Sequence, residues 1–314
     1  MTTSPNSGSR AVPHRLRTGD RVRFVSPAST PDRQEVERGV QLLSSWGLSV
    51  EVADHAFDTY GSYLAGRDED RISDLNDALR DPGVRAILAT TGGKGAYRVA
   101  HALDFDAASH DPKPFVGFSE TTIIHLALWM HCNLAGFHGP HMGWSDYNGV
   151  SSAESLRCSL MEPAPMTINR DPGELTAKVA VGGTATGALI GGNLDMIRTS
   201  IGWACPSFDG AILFVEAVDM PIGAIDRTFT QLINSGLLNG LKGVAIGQFI
   251  RSGEEEPGKW SAVDVLYDRL APLGVPVLGG LPIGHGPKQP TVPLGTTARI
   301  DAAAGTLTIA PGVS

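Results

Sequence analysis

Cysteine is scarce in this chain. The 314 residues contain three, Cys132, Cys158 and Cys205, an odd number without CxxC spacing. Neither a disulfide framework nor a zinc site is suggested, and a reducing compartment is expected. Long apolar runs are missing as well: the longest, Thr121 to Met130, covers about half of the roughly 20 residues that a membrane-spanning helix needs. Residues 1–17 are polar and lack the apolar stretch of a secretory signal, which marks them as a disordered tail. No basic block occurs either. With 25 Lys and Arg against 33 Asp and Glu, the net charge of −8 argues against tracking along nucleic acid or an anionic membrane, and leaves a small ligand as the expected partner. P-loop, HExxH and EF-hand motifs are absent, so those chemistries have no foothold here. The expectation is a soluble, cytoplasmic protein.

Glycine and proline, by contrast, are abundant at 38 and 21 residues. They imply many tight turns and places of close backbone approach, and they put function on loops. A hydrophobic content of 42% with 18% charged residues suits a chain that buries real cores in one large or two medium α/β domains. Residues 21–25 read as a short strand stopped by Ser26-Pro27, and residues 31–46 as a helix with Val36, Val40, Leu42 and Leu43 apolar. A second strand follows at 48–53, a polar helix at 68–79, and a buried strand at 84–90 that runs into Thr91-Gly-Gly-Lys-Gly95. A strand at 114–118 then meets a helix over 120–131. This alternation predicts an α/β fold with a parallel sheet wound with helices. Periodicity fades from about Ser145 to Val181, where Pro, Ser, Gly and Asp collect. The domains are therefore placed at 18–150 and 183–314, with a linker over 151–182. The second half reads as strands at 211–216, 244–249 and 276–279, a helix at 226–235 and a closing hairpin over 297–309.

Gly117-Phe118-Ser119-Glu120-Thr121 stands where a buried strand meets a helix. That is the geometry of a nucleophile elbow, a strained turn that exposes a hydroxyl beside a helix N-terminus. Thr121 replaces the second glycine of GxSxG, and a serine at such a junction also suits a helix N-cap. An activated serine needs a base, a group that orients the base, and backbone donors where negative charge develops. Glu216 ends the apolar run Ala211-Ile-Leu-Phe-Val215, where an acid is costly to bury unless something uses it; a strand-end carboxylate in solvent is the other reading. His285 lies in Leu281-Pro-Ile-Gly-His-Gly-Pro287, whose glycines and prolines shape a loop with room for an imidazole, although a loop histidine is also an ordinary surface residue. The chain order Ser119, Glu216, His285 spans the domain boundary and puts the site in an interdomain cleft.

Thr91–Gly95 offers amides for an anion at the carboxyl edge of the sheet. Read instead as a dinucleotide loop, it has Arg98 at the third Rossmann glycine and lies too deep in its domain. Gly191-Gly-Asn193 reads as a tight turn before a helix, with Asn193 a candidate for touching substrate. Asp226 and Arg227 suit an N-cap with an ion pair, or substrate orientation. Trp144 and Trp203 could stack on a ligand or serve core and dimer contacts. His138 and His141 flank the turn after Phe137, and residues 253–257 read as a solvated acidic loop.

In combination these motifs resemble one family, the serine LD-carboxypeptidases of peptidase family S66, which includes cytoplasmic muropeptide carboxypeptidases and microcin C self-immunity proteins. The resemblance spans nearly the whole chain. It is carried, in order, by residues 19–27, residues 65–79, Gly92-Gly-Lys-Gly-Ala-Tyr-Arg98, Pro112-Lys-Pro-Phe-Val-Gly-Phe-Ser119, Phe137-His-Gly-Pro140, Gly191-Gly-Asn-Leu194, Phe214-Val-Glu216, Ile225-Asp-Arg227, Gly247-Gln-Phe249 and Gly284-His-Gly286. It implies an N-terminal Rossmann-like domain bearing Ser119, a C-terminal α/β domain bearing Glu216 and His285, a Ser-Glu-His triad without metal or cofactor, and a homodimer. It also implies oxyanion donors from the amide of Glu120 and from the Gly92-Gly93 turn. The family commonly has Ser-Asp at the elbow and Arg-Gly-Gly-Tyr-Gly in the turn; Glu120, Thr91 and Lys94 depart from that pattern, and Thr91 and Lys94, in place of an arginine and an aromatic, alter the pocket wall and the charge it prefers. The implied activity is hydrolysis of an amide at a D-amino acid, with release of D-alanine from a murein tetrapeptide as the leading substrate. A peptidyl-nucleotide of the microcin C type and a specialised metabolite are the alternatives, and a non-catalytic dinucleotide-binding module is the reading from a different class. Thr91, Lys94, Asn193, Trp203 and Asp226 are the candidate substrate contacts.

Overall fold

The computed structural model describes residues 11–140, 149–253 and 258–314, so His141, Trp144 and most of the 253–257 run lie outside the described residues. The first half alternates strand and helix: β1 (Arg21–Val25), α1 (Arg33–Ser45), β2 (Ser49–Val52), α2 (Asp68–Arg80), β3 (Val84–Ala89), α3 (Ala96–Val99), α4 (Phe105–His110), β4 (Phe115–Gly117), α5 (Thr122–Cys132) and β5 (Gly136–His138). The second half comprises α6 (Gly149–Met161), β6 (Met166–Asn169), β7 (Ala180–Val181), β8 (Thr184–Asn193), α7 (Leu194–Ser200), β9 (Ala211–Val218), α8 (Ile222–Asn234), β10 (Gly243–Ile250), α9 (Ala262–Leu270), β11 (Val277–Leu278), β12 (Val292–Leu294), β13 (Thr297–Asp301) and β14 (Thr306–Ile309).

Two sheets result, in the orders β12-β5-β4-β3-β1-β2 and β6-β14-β13-β8-β9-β10-β11-β7. In the first, all pairings are parallel except β12 with β5. Parallel strands need cover on both faces, and β3 shows how the sequence supplies it. Ala86 and Leu88 pack with Val36 and Leu43 of α1, while Ile87 and Ala89 pack with Leu75 of α2, Val99 of α3 and Ile123 of α5. In the second sheet Leu213 and Val215 of β9 face α7, α8 and α9, whereas Ile212 and Phe214 face the closing hairpin. The molecule is thus a two-domain α/β protein, and the carboxyl ends of β3, β4, β8 and β9 converge on the cleft between the sheets.

Three segments differ from the sequence expectation. Residues 11–17 are no frayed tail: Ala11 bridges to Leu134, and Leu16, 2% exposed, donates its amide to the Leu160 carbonyl at 2.8 Å. Burial of the Leu16 side chain holds this stretch down. Residues 151–182 are not an open linker, because α6 buries Leu156 and Leu160 against the first sheet and β6 pairs with β14. The prolines and glycine that suggested a linker are confined to the short breaks at 162–165 and 171–173. Finally, β12 returns from the C-terminal half to pair with β5, Val292 opposite His138, and so closes an edge that would otherwise expose unpaired backbone. Among the described residues, no helix is long and apolar enough to cross a membrane.

Candidate active site

Ser119 follows β4 and has φ of 59°, a left-handed conformation that a non-glycine residue holds only where its surroundings enforce it. The enforcement is visible. The Thr121 hydroxyl donates to the Phe118 carbonyl at 2.9 Å, and a Cβ on Gly117 would stand 2.5 Å from that hydroxyl oxygen. Glycine at 117 therefore makes room for threonine at the place where GxSxG has its second glycine. Below the elbow, His125 Nε2 lies 3.0 Å from the Gly117 carbonyl, and full burial pulls the imidazole down to about 4, which keeps it neutral.

Opposite the elbow, Glu216 is fully buried near the end of β9. Its Oε2 lies 2.6 Å from His285 Nδ1, and its Oε1 accepts from Asn193 Nδ2 at 3.1 Å. His285 is held by its loop: the Gly286 amide donates to Gln248 Oε1 at 2.7 Å, and the Gln248 amide donates to the Ile283 carbonyl at 2.8 Å. Gln248 Nε2 is in turn taken by Glu174 at 2.6 Å. The His285 ring packs on Phe118, the neighbour of Ser119, with centroids 4.8 Å apart. Phe118 also meets the buried His138 edge-on, so His138 is a wall of this packing and not a cleft residue.

The Thr91–Gly95 turn is clamped from two sides. Ser29 Oγ accepts from the Lys94 amide at 3.0 Å, and the side chain of Glu120 accepts from the amides of Gly95 (2.6 Å) and Ala96 (3.2 Å). Burial pushes the Glu120 carboxyl up, opposed by these amides and by Lys94. Arg71, 1% exposed, donates to the carbonyls of Pro27 (2.6 Å) and Gly95 (3.0 Å) and pairs with Asp68. Neither Arg71 nor Gln248 was singled out from sequence. Their only signal is a polar side chain in an otherwise ordinary motif.

Between these walls lies a cleft of about 360 Å³ lined by Gly93, Lys94, Ser119, Glu120, Asn193 and Asp195, with the ends of β9 and α8 closing it. Its acids are mostly neutralised: Asp195 pairs with Arg198 at 2.5 Å, and Asp219 with Arg251 at 2.6 Å, which holds the Asp219 carboxyl low. Thr91, Trp203 and Asp226 are not among the lining residues. Trp203 Nε1 donates to the Thr199 carbonyl at 2.8 Å, and Asp226 pairs with Arg269 at 3.0 Å, in mid-helix and not as an N-cap. The metal-ligand types that cluster among the described residues, His55, Asp58 and Asp70, belong to the β2–α2 segment and not to the cleft lining.

The sequence models of the LD-carboxypeptidase N-terminal and C-terminal domains match residues 22–139 and 186–300. The chain belongs to the LD-carboxypeptidase family, peptidase S66. It is 36% identical to a Streptomyces coelicolor protein classed as a carboxypeptidase, over 95% of both chains, and 30% identical to the murein tetrapeptide carboxypeptidase of Pseudomonas aeruginosa, over 96% of this chain and 98% of that one. The fold matches that of the self-immunity protein MccF in complex with glutamyl sulfamoyl guanosine, with a TM-score of 0.85 at 22% identity, covering 96% of this chain and 99% of the other. As a family member it is a serine peptidase of the carboxypeptidase type.

Proposed function

We propose that this LD-carboxypeptidase family member uses Ser119 as nucleophile, His285 as general base and Glu216 to orient the imidazole. The observation that carries the reading is the strained Ser119 beside the Phe118–His285 contact, with His285 Nδ1 2.6 Å from the buried Glu216. A carboxylate only accepts, so the Nδ1 hydrogen goes to Glu216 and Nε2 is left to take a proton. His285 removes the Ser119 proton as Oγ attacks the substrate carbonyl, and Glu216 stabilises the imidazolium. The imidazolium then protonates the leaving amine, and a water deprotonated by the same base releases the acyl group. In the neighbouring turn the amides of Lys94, Gly95 and Ala96 are already engaged. Those of Gly92 and Gly93 remain, with that of Glu120, to meet the developing oxyanion.

The substrate of this reading is a murein tetrapeptide, which loses its terminal D-alanine; the activity named for the Pseudomonas aeruginosa relative supports it. Lys94, on the cleft wall and without an ion pair among the described residues, is the cation placed for a substrate carboxylate. The test is mass spectrometry of wild type and Ser119→Ala incubated with L-Ala-γ-D-Glu-meso-diaminopimelate-D-Ala and, in parallel, with a peptidyl-nucleotide sulfamate. Loss of D-alanine by wild type alone supports the reading. Cleavage of the nucleotide conjugate alone assigns the protein to the substrate class of MccF, and silence on both overturns the murein assignment. The reading extends to a cytoplasmic homodimer, which sedimentation and cell fractionation check.

A further inference from the structure

The walls of the cleft come from different halves of the chain, and Asn193 touches both. It ends β8, directly before α7. Its backbone amide donates to Thr122 Oγ1 at 3.0 Å, on the helix that starts three residues after Ser119. Its side chain is committed at both ends. Oδ1 accepts from the amides of Asp195 (3.1 Å) and Met196 (3.3 Å), which caps α7 and decides which way the amide group points. Nδ2 is thereby turned toward Glu216 Oε1 at 3.1 Å. The backbone here has no slack: a Cβ on Gly191 would stand 1.9 Å from the Phe214 carbonyl oxygen, and one on Gly192 2.5 Å from Thr122 Oγ1. Glycine at both positions lets β8 lie flush against β9 and α5, and that close fit carries Asn193 to its four partners.

We infer that Asn193 is a positioning residue for the catalytic acid, holding Glu216 Oε1 so that Oε2 is presented to His285, and tying that acid to the helix that follows the nucleophile. The inference rests on the Ser119–His285–Glu216 reading above. A carboxylate held through one oxygen alone turns easily about its terminal torsion, which is broad. A second, charge-assisted hydrogen bond removes that freedom. Asn193 thus acts through Glu216, whereas its place in the sequence suggested a substrate contact. The charged groups around the pair are His285 from the loop after β11, Asp195 and Arg198 from α7, Asp219 from the end of β9, and Glu120 and Lys94 across the cleft. All of them are unchanged in the variants below.

Asn193→Ser and Asn193→Asp separate this role from a structural one. Both replacements are favoured helix N-caps, so α7 keeps its start, and neither side chain donates to Glu216 as the amide does. The readout is the rate at which a fluorophosphonate probe labels Ser119 across the neutral pH range, which reports on the triad without assuming a substrate; thermal melting checks the fold. Asn193→Ser is expected to label about tenfold or more slowly than wild type at every pH. For Asn193→Asp the deficit is expected to grow as pH rises. At the acid end the two carboxyl groups share a proton and a donor is restored, and once that proton is lost they repel. Equal labelling of wild type and Asn193→Ser, or an Asn193→Asp deficit that does not vary with pH, overturns the inference. Should the Asp variant not fold, the Ser variant decides alone. No labelling of wild type at Ser119 overturns the triad reading and this inference with it, an outcome distinct from equal labelling, which removes the inference and leaves the triad.

Discussion

Glu216 and His285 meet at 2.6 Å, with the carboxylate fully buried and the imidazole part-buried. A buried carboxylate is costly unless its oxygens are both used, and here they are, one by His285 and one by Asn193. The chain keeps this arrangement by spending glycine where the strands must lie close, and by fixing the His285 loop through Gln248.

Glu216→Gln tests the contact with almost no change of shape. Asn193 Nδ2 requires an acceptor at the nearer atom, so the glutamine would turn its NH2 toward His285 Nδ1. The imidazole would then accept at Nδ1 and carry its hydrogen on Nε2, where it cannot take the Ser119 proton. A kcat loss of about ten-thousandfold is expected, by analogy with the Asp-to-Asn change in serine protease triads, with the melting temperature close to wild type. A loss smaller than about tenfold would show that Glu216 does not set the tautomer.

Arg71→Met addresses the turn that carries Gly92 and Gly93. The guanidinium holds the Gly95 and Pro27 carbonyls and Asp68 from a site 1% exposed, and methionine fills the volume without donors. The buried Pro27 carbonyl would lose its partner, while the Gly95 carbonyl keeps the Arg98 amide and Asp68 keeps the Arg98 guanidinium, so the change is expected to cost about 2 kcal/mol in urea denaturation. The protein that remains folded should lose kcat more than it gains KM, because in the proposed mechanism the turn's amides serve the transition state. An unchanged kcat in the folded protein would sever Arg71 from the site.

Ser119, Glu216 and His285 are legible in the sequence because each closes or interrupts an apolar or glycine-rich run with a residue type that such a run does not need. Their supports are not. Thr122 meets Asn193 across 71 residues, Gln248 meets Gly286 across 38, and Arg71 meets Pro27 across 44. No local pattern carries such distances. β12 is equally silent, since three residues that include a proline acquire strand character only from pairing with β5. Residue type alone also misdirects: Trp203 and Asp226 have the chemistry of ligand contacts, yet their polar atoms are used by Thr199 and Arg269. Composition suggested a linker over 151–182 because helix-breaking residues cluster there, and the structure shows that they cluster only at the breaks.

Asp74 gives a pH prediction away from the cleft. Its carboxyl lies on α2, 8% exposed, and accepts from the His55 amide at 3.2 Å. Burial pushes it up to about 6 from 3.8, with Asp54 and Asp77 adding and His55 opposing. A carboxyl raised by folding binds its proton more tightly in the native state, so stability falls as pH rises through the window from about 4 to about 6 and stays reduced above it. Asn at this position keeps the acceptor for His55 and removes the charge. Asp74→Asn is therefore expected to be more stable than wild type at pH 7, by about 1–2 kcal/mol once partial solvent screening is allowed for, and to lose that advantage below about pH 4. Thermal melting of both proteins across this range checks it: curves that converge at the acid end and separate toward neutrality fit the burial argument, and parallel curves would refute it.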